Sequence, residues 1–125
     1  MRVVHCADVV PAHRPDGRVV MPLLDLPVHV PVEQTAILFV EHPANFTEGR
    51  HHHQKLHEIF YFLDAADYWV NGELIHLQAG DLLVLEPNDV HGAVPVPHKV
   101  RLIVYHVPKV AGDKVDAPAS RPATP

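Results

Sequence analysis

The chain has a single cysteine, Cys6, so it can form no internal disulfide and build no zinc site from paired thiolates. That lone thiol reads as a small buried hydrophobe. No run of about 18 apolar residues is present, which leaves nothing to cross a membrane as a helix. The opening MRVVHCADVV lacks the basic region and long apolar stretch of a signal peptide, and a cytoplasmic location is the default expectation. Basic residues are few and scattered: ten Lys and Arg against fifteen Asp and Glu give a formal net charge of -5. Without a basic patch there is no footprint for phosphate contacts, and nucleic acid is excluded as a direct partner. Nor does any stretch of a dozen residues keep a 3.6-residue apolar period free of proline, so helix is at most a turn or two.

What the sequence does have is histidine, proline and short apolar runs. It has 12 histidines and 13 prolines in 125 residues, with 47% hydrophobic and 20% charged, a composition that suits one globular domain. Residues 1–31 carry five prolines among short β-branched runs and read as edge strands and turns wrapping a core. Residues 32–108 hold TAILFVEH, HEIFYFL, DYWV, ELIHL, DLLVLE and VRLIVYHV, short aromatic and β-branched runs separated by turn residues, the pattern of an all-β sandwich or barrel. Asn71-Gly72 between DYWV and ELIHL is the dipeptide of a type I′ hairpin. Residues 109–125, almost bare of large apolar side chains and rich in proline, read as a flexible tail.

The histidines crowd into GRHHHQKLHEIFYFL. On a strand, side chains at i and i+2 share a face, so His51 and His53 aim the same way while His52 points opposite. A turn to His57 brings the next strand alongside, with Glu58 on the interior face shared by Phe60 and Phe62. His91, after AGDLLVLEPNDVHG, supplies a third nitrogen from across the barrel. Three imidazoles and one carboxylate suit a borderline divalent ion such as Zn, Fe, Ni or Mn and leave open positions on a six-coordinate ion. His52 and His57 read as surface residues or as supports behind the ligands rather than as ligands themselves. His106, alternating with Leu102 and Val104, reads as a core histidine in preference to a pocket wall. Phe60, Phe62 and Trp69 read as barrel filling, and Glu86 as a solvated strand end.

The same residues resemble the two motifs of the cupin superfamily, G-x5-H-x-H-x3-4-E-x6-G followed by G-x5-P-x-G-x2-H. His51, His53 and Glu58 match the metal-ligand positions of the first motif and His91 that of the second, over a resemblance running from about Asn45 to His91. It implies a double-stranded β-helix, or jelly-roll, barrel with a buried metal site. Where the motifs have glycine this chain has Asn45, Ala65 and Asn88, and where they have proline it has Glu86. Asparagine tolerates left-handed backbone angles, so Asn45 and Asn88 can keep their turns.

These observations together point to a small metal-dependent enzyme acting on a small organic molecule, of dioxygenase, isomerase or lyase type. The run from HEIFYFL to His91 also looks like the sugar-sensing barrel of arabinose-regulator type transcription factors, which makes a free-standing sugar or small-molecule sensor the alternative. A homodimer is expected through the sheet face bearing Ile59, Tyr61 and Leu63, opposite the inward Phe60 and Phe62.

Overall fold

A computed structural model describes residues 1–117. Each alternating apolar run becomes a strand, because β-branched and aromatic side chains pack well on a pleated surface while prolines interrupt the ladder between them. In chain order these are β1 (Arg2–Val4), β2 (Ala12–His13), β3 (Val19–Val20), β4 (Ala36–His42), β5 (His51–His53), β6 (His57–Phe62), β7 (Ala66–Val70), β8 (Glu73–Leu77), β9 (Leu82–Leu85), β10 (His91–Val94), β11 (Val100–Val107) and β12 (Lys114–Asp116), with one 3₁₀ turn at Cys6–Asp8. Ten strands form two five-stranded antiparallel sheets, ordered β1-β9-β6-β11-β4 and β12-β5-β10-β7-β8, while β2 and β3 pair with each other.

The inward rows of the two sheets build the core. Along β6 the burial alternates over His57–Phe62, placing Glu58, Phe60 and Phe62 inside. From the facing sheet Tyr68 and Val70 meet them, and Phe62 and Tyr68 rank among the largest fully buried side chains. Burying a side chain of this size stabilises the fold by about 1.5–3 kcal/mol. Adjacent aromatics in DYWV cannot both face inward, and it is Tyr68 that fills the barrel. Trp69, read from sequence as filling, stands half-buried on the outside with the Arg50 guanidinium 5.3 Å from its ring centre. Cys6 is half-buried rather than buried.

The turns carry the backbone angles that their residues favour. Asn71 and Gly72 have φ of 49° and 83° between the paired Val70 and Glu73, the two left-handed positions of a type I′ hairpin. Asn45 and Asn88 sit at φ of 60° and 73°, so asparagine does supply the left-handed turns there.

Both ends of the described chain join the sheets. β1 pairs with β9, and just beyond it the buried Asp81 carboxylate accepts hydrogen bonds from the Cys6 and Gln78 backbone N–H groups and from His5 Nδ1. At the other end the reading of residues 109–125 as a tail is corrected over the described part. β12 pairs with β5, and Asp113, 5% exposed, accepts from the backbone N–H groups of Lys55 and Leu56. The remainder of that expected tail, 118–125, lies outside the described residues. On the outer face of the first sheet Ile37 and Phe39 of β4 are 63% and 59% exposed.

Candidate metal centre

Strand alternation sets the three histidines of β5 apart: His51 and His53 are buried and His52 between them is half-buried on the other face. His51 lies directly opposite His91 of β10 in the same sheet, with ring centres 4.3 Å apart. Across the barrel, Glu58 is the first inward residue of β6. The two sheets therefore bring His51, His53, Glu58 and His91 together, all buried, with one donor atom of each lying within 4.8 Å of the others. His57 is half-buried and outside this group. A Cβ at Gly92 would lie 3.0 Å from the Glu48 carbonyl oxygen, so the glycine lets β10 pass close beneath the segment leading into His51.

Hydrogen bonds fix which nitrogen each ring presents. His51 Nδ1 donates to the Gly49 carbonyl at 2.9 Å and His91 Nδ1 to the Asp89 carbonyl at 2.9 Å. A carbonyl oxygen only accepts, so in both rings Nδ1 carries the proton and Nε2 turns a lone pair to the centre. There His91 Nε2 lies 3.1 Å and His53 Nε2 3.5 Å from Glu58 Oε1. For His91, a lone pair facing a carboxylate oxygen in a buried site needs a cation between the two, whether a proton or a metal ion. Ligands about 2.1 Å from a common ion lie roughly 3.0–3.4 Å apart at octahedral or tetrahedral angles, close to these separations. His53 Nδ1 is buried and has no hydrogen-bond partner among the described residues, leaving that ring to be oriented from the Nε2 side. The residues present thus fit a divalent ion of the imidazole-preferring kind.

The charges agree with that reading. Burial alone would raise the Glu58 carboxyl, but its polar contacts with His106, His53 and His91 outweigh this and hold it well below the usual carboxylate range. Burial also lowers the pKa of His51, favouring the neutral form that a ligand must have. For Tyr68, burial first and then the charges of Glu48 and Glu58 push the phenol well above its ordinary value, so it stays protonated.

Beside two of the four donors, His51 and Glu58, lies a cavity of about 130 Å³, with Val40, Leu102 and Val104 on an apolar wall and His42, Glu48 and His106 among its polar groups. His106, expected in the core, instead faces this cavity. It pairs directly with Glu58 across the β6–β11 ladder, and its Nε2 is 2.7 Å from Glu58 Oε2. Sequence reasoning saw its alternation with Val104 but not its partner, because that partner depends on the register of two strands more than forty residues apart. Glu48, half-buried, was not singled out at all; its place just ahead of His51 was the available signal.

No family model matches the chain, and no curated protein matches it. Among solved structures it is similar to a conserved Klebsiella pneumoniae protein with a double-stranded beta-helix domain, at 23% identity over 73% of this chain and 81% of that one, with a TM-score of 0.62. It is similar to a cupin protein from Bacteroides fragilis, at 22% identity over 70% and 75% of the two chains, with a TM-score of 0.56. A third likeness, to the DMSP lyase DddQ from Ruegeria pomeroyi, has 20% identity over 66% of this chain but only 43% of that one, with a TM-score of 0.60. With its two facing antiparallel sheets and these likenesses, the chain has the double-stranded β-helix fold that cupin proteins share.

Proposed function

We propose that the chain is a small metal-dependent cupin enzyme that acts on a small organic molecule, by lyase, isomerase or dioxygenase chemistry. The observation that carries this reading is the convergence of four donors, His51, His53, Glu58 and His91, two of which, His51 and Glu58, line a cavity. Buried metal sites that serve only structure are closed, whereas catalytic ones keep open positions. The DddQ likeness supports a lyase among the options, since that protein is named for one. A cytoplasmic setting accords with the lone cysteine.

His51, His53, Glu58 and His91 would hold the ion, which when bound supplies Lewis acidity or a redox centre. The remaining work falls to the chain's own groups. Val40, Leu102 and Val104 keep water from one side of the cavity. Tyr68 presents a phenol that remains a hydrogen-bond donor at working pH. Glu58 offsets part of the cation's charge and stays ionised.

A sugar or small-molecule sensor without turnover is the competing reading, supported by the likeness of the run from His57 to His91 to a sensing barrel. One experiment separates the two. Protein purified without an affinity tag is analysed for metals, then assayed for oxygen uptake with catechols, thiols and 1,3-diketones and for elimination products from small carboxylates. About one transition-metal ion per chain, with turnover abolished by a chelator and restored by metal, is expected. Saturable sugar binding with no turnover of any of these would overturn the enzyme reading.

A further inference from the structure

We propose that His106 is a positioning residue that restricts Glu58 to a single metal-ligating oxygen and so keeps adjacent positions on the ion free for a ligand that chelates through two oxygens. This rests on the metal reading above. The two oxygens of Glu58 have separate partners: Oε1 faces His91 Nε2 at 3.1 Å and His53 Nε2 at 3.5 Å, while Oε2 lies 2.7 Å from His106 Nε2. An ionised carboxylate only accepts, so His106 Nε2 is the donor in a short, charge-assisted hydrogen bond. His106 is outside the four-donor group and its side chain is 18% exposed, on the cavity side of the carboxylate.

Its position is set by the ladder. His106 and Glu58 are directly opposed on β11 and β6, where side chains of an antiparallel pair meet at closest range. For Glu58 to chelate through both oxygens, Oε2 would have to leave His106 and turn into the centre. With three imidazoles already bound, a two-oxygen Glu58 fills five positions of a six-coordinate ion and leaves one. Held to one oxygen, it leaves two. A ligated carboxylate anchored through its outer oxygen is a recognised way of fixing its orientation.

Cobalt(II)-loaded protein reports on this through its visible bands, with acetohydroxamate as the two-oxygen probe and azide as the one-atom probe. His106→Ala is expected to keep one cobalt per chain, to weaken acetohydroxamate binding at least tenfold, and to change azide binding less than threefold. His106→Gln, which restores an N–H at similar reach, is expected to return acetohydroxamate affinity to within threefold of the parent. Loss of cobalt from His106→Ala would make His106 a ligand and overturn the proposal. Equal weakening of both probes, or no change in either, would overturn it as well. If the parent protein takes up no cobalt, the metal reading itself fails, an outcome distinct from these.

Discussion

His91 Nε2 lies 3.1 Å from Glu58 Oε1 while the same ring donates from Nδ1 to the Asp89 carbonyl, so the imidazole meets the carboxylate with a lone pair unless a cation intervenes. Metal should therefore stabilise the folded chain. At a free concentration a hundredfold above Kd the gain is about 2.7 kcal/mol, or on the order of 10 °C in melting temperature for a domain of this size. Melts of chelator-treated and metal-loaded protein at pH 7.5 check it, and coincident curves would remove the metal role from His51, His53, Glu58 and His91.

Substitution of the histidines should follow strand alternation. His51→Ala, His53→Ala and His91→Ala should each lower metal affinity at least tenfold, a deficit of about 1.4 kcal/mol or more. His52→Ala and His57→Ala, on the outward side, should leave it within threefold. Equilibrium dialysis with elemental analysis is the measurement; equal loss in all five would point to a flexible surface patch.

The segment after Pro108 should matter for both folding and the site. Asp113→Ala leaves the Lys55 and Leu56 N–H groups without their acceptor, at a cost of about 1–3 kcal/mol. Ending the chain at Pro108 also removes β12 from the edge of β5, the strand that carries His51 and His53. The truncated protein should melt several degrees lower and hold metal more weakly, and calorimetry showing an unchanged melt would refute the clamp.

Asp81 gives stability a dependence on acid. Burial opposes its ionisation, but hydrogen bonds from Gln78, His5 and Cys6 more than offset this, so its pKa is lowered in the folded state. A carboxyl with a depressed folded pKa contributes stability that is fully present above its unfolded value of about 3.9 and is lost as pH falls through the folded one. Asp81→Asn should cost about 1–3 kcal/mol at pH 7, and the gap from the parent should narrow below pH 4. A gap constant from pH 7 to pH 2 in urea titrations would show that the charge contributes nothing.

Local features of the sequence determined a good part of this protein. The two-residue period of a strand was enough to separate His51 and His53 from His52 and to put Glu58 with Phe60 and Phe62, because side-chain direction on a strand needs no knowledge of its neighbours. The Asn71-Gly72 hairpin and the left-handed Asn45 and Asn88 were legible for the same reason: positive φ is a property of the residue. Tertiary structure alone decided what depends on strand order and register. It put His106 opposite Glu58, chose Tyr68 over Trp69 for the interior, and set β12 against β5. That last pairing was hidden because a backbone ladder and a buried carboxylate accepting two N–H groups require no apolar side chains. The hydrophobic pattern from which strands are read is silent about such contacts, and only the closed barrel brings their partners within reach.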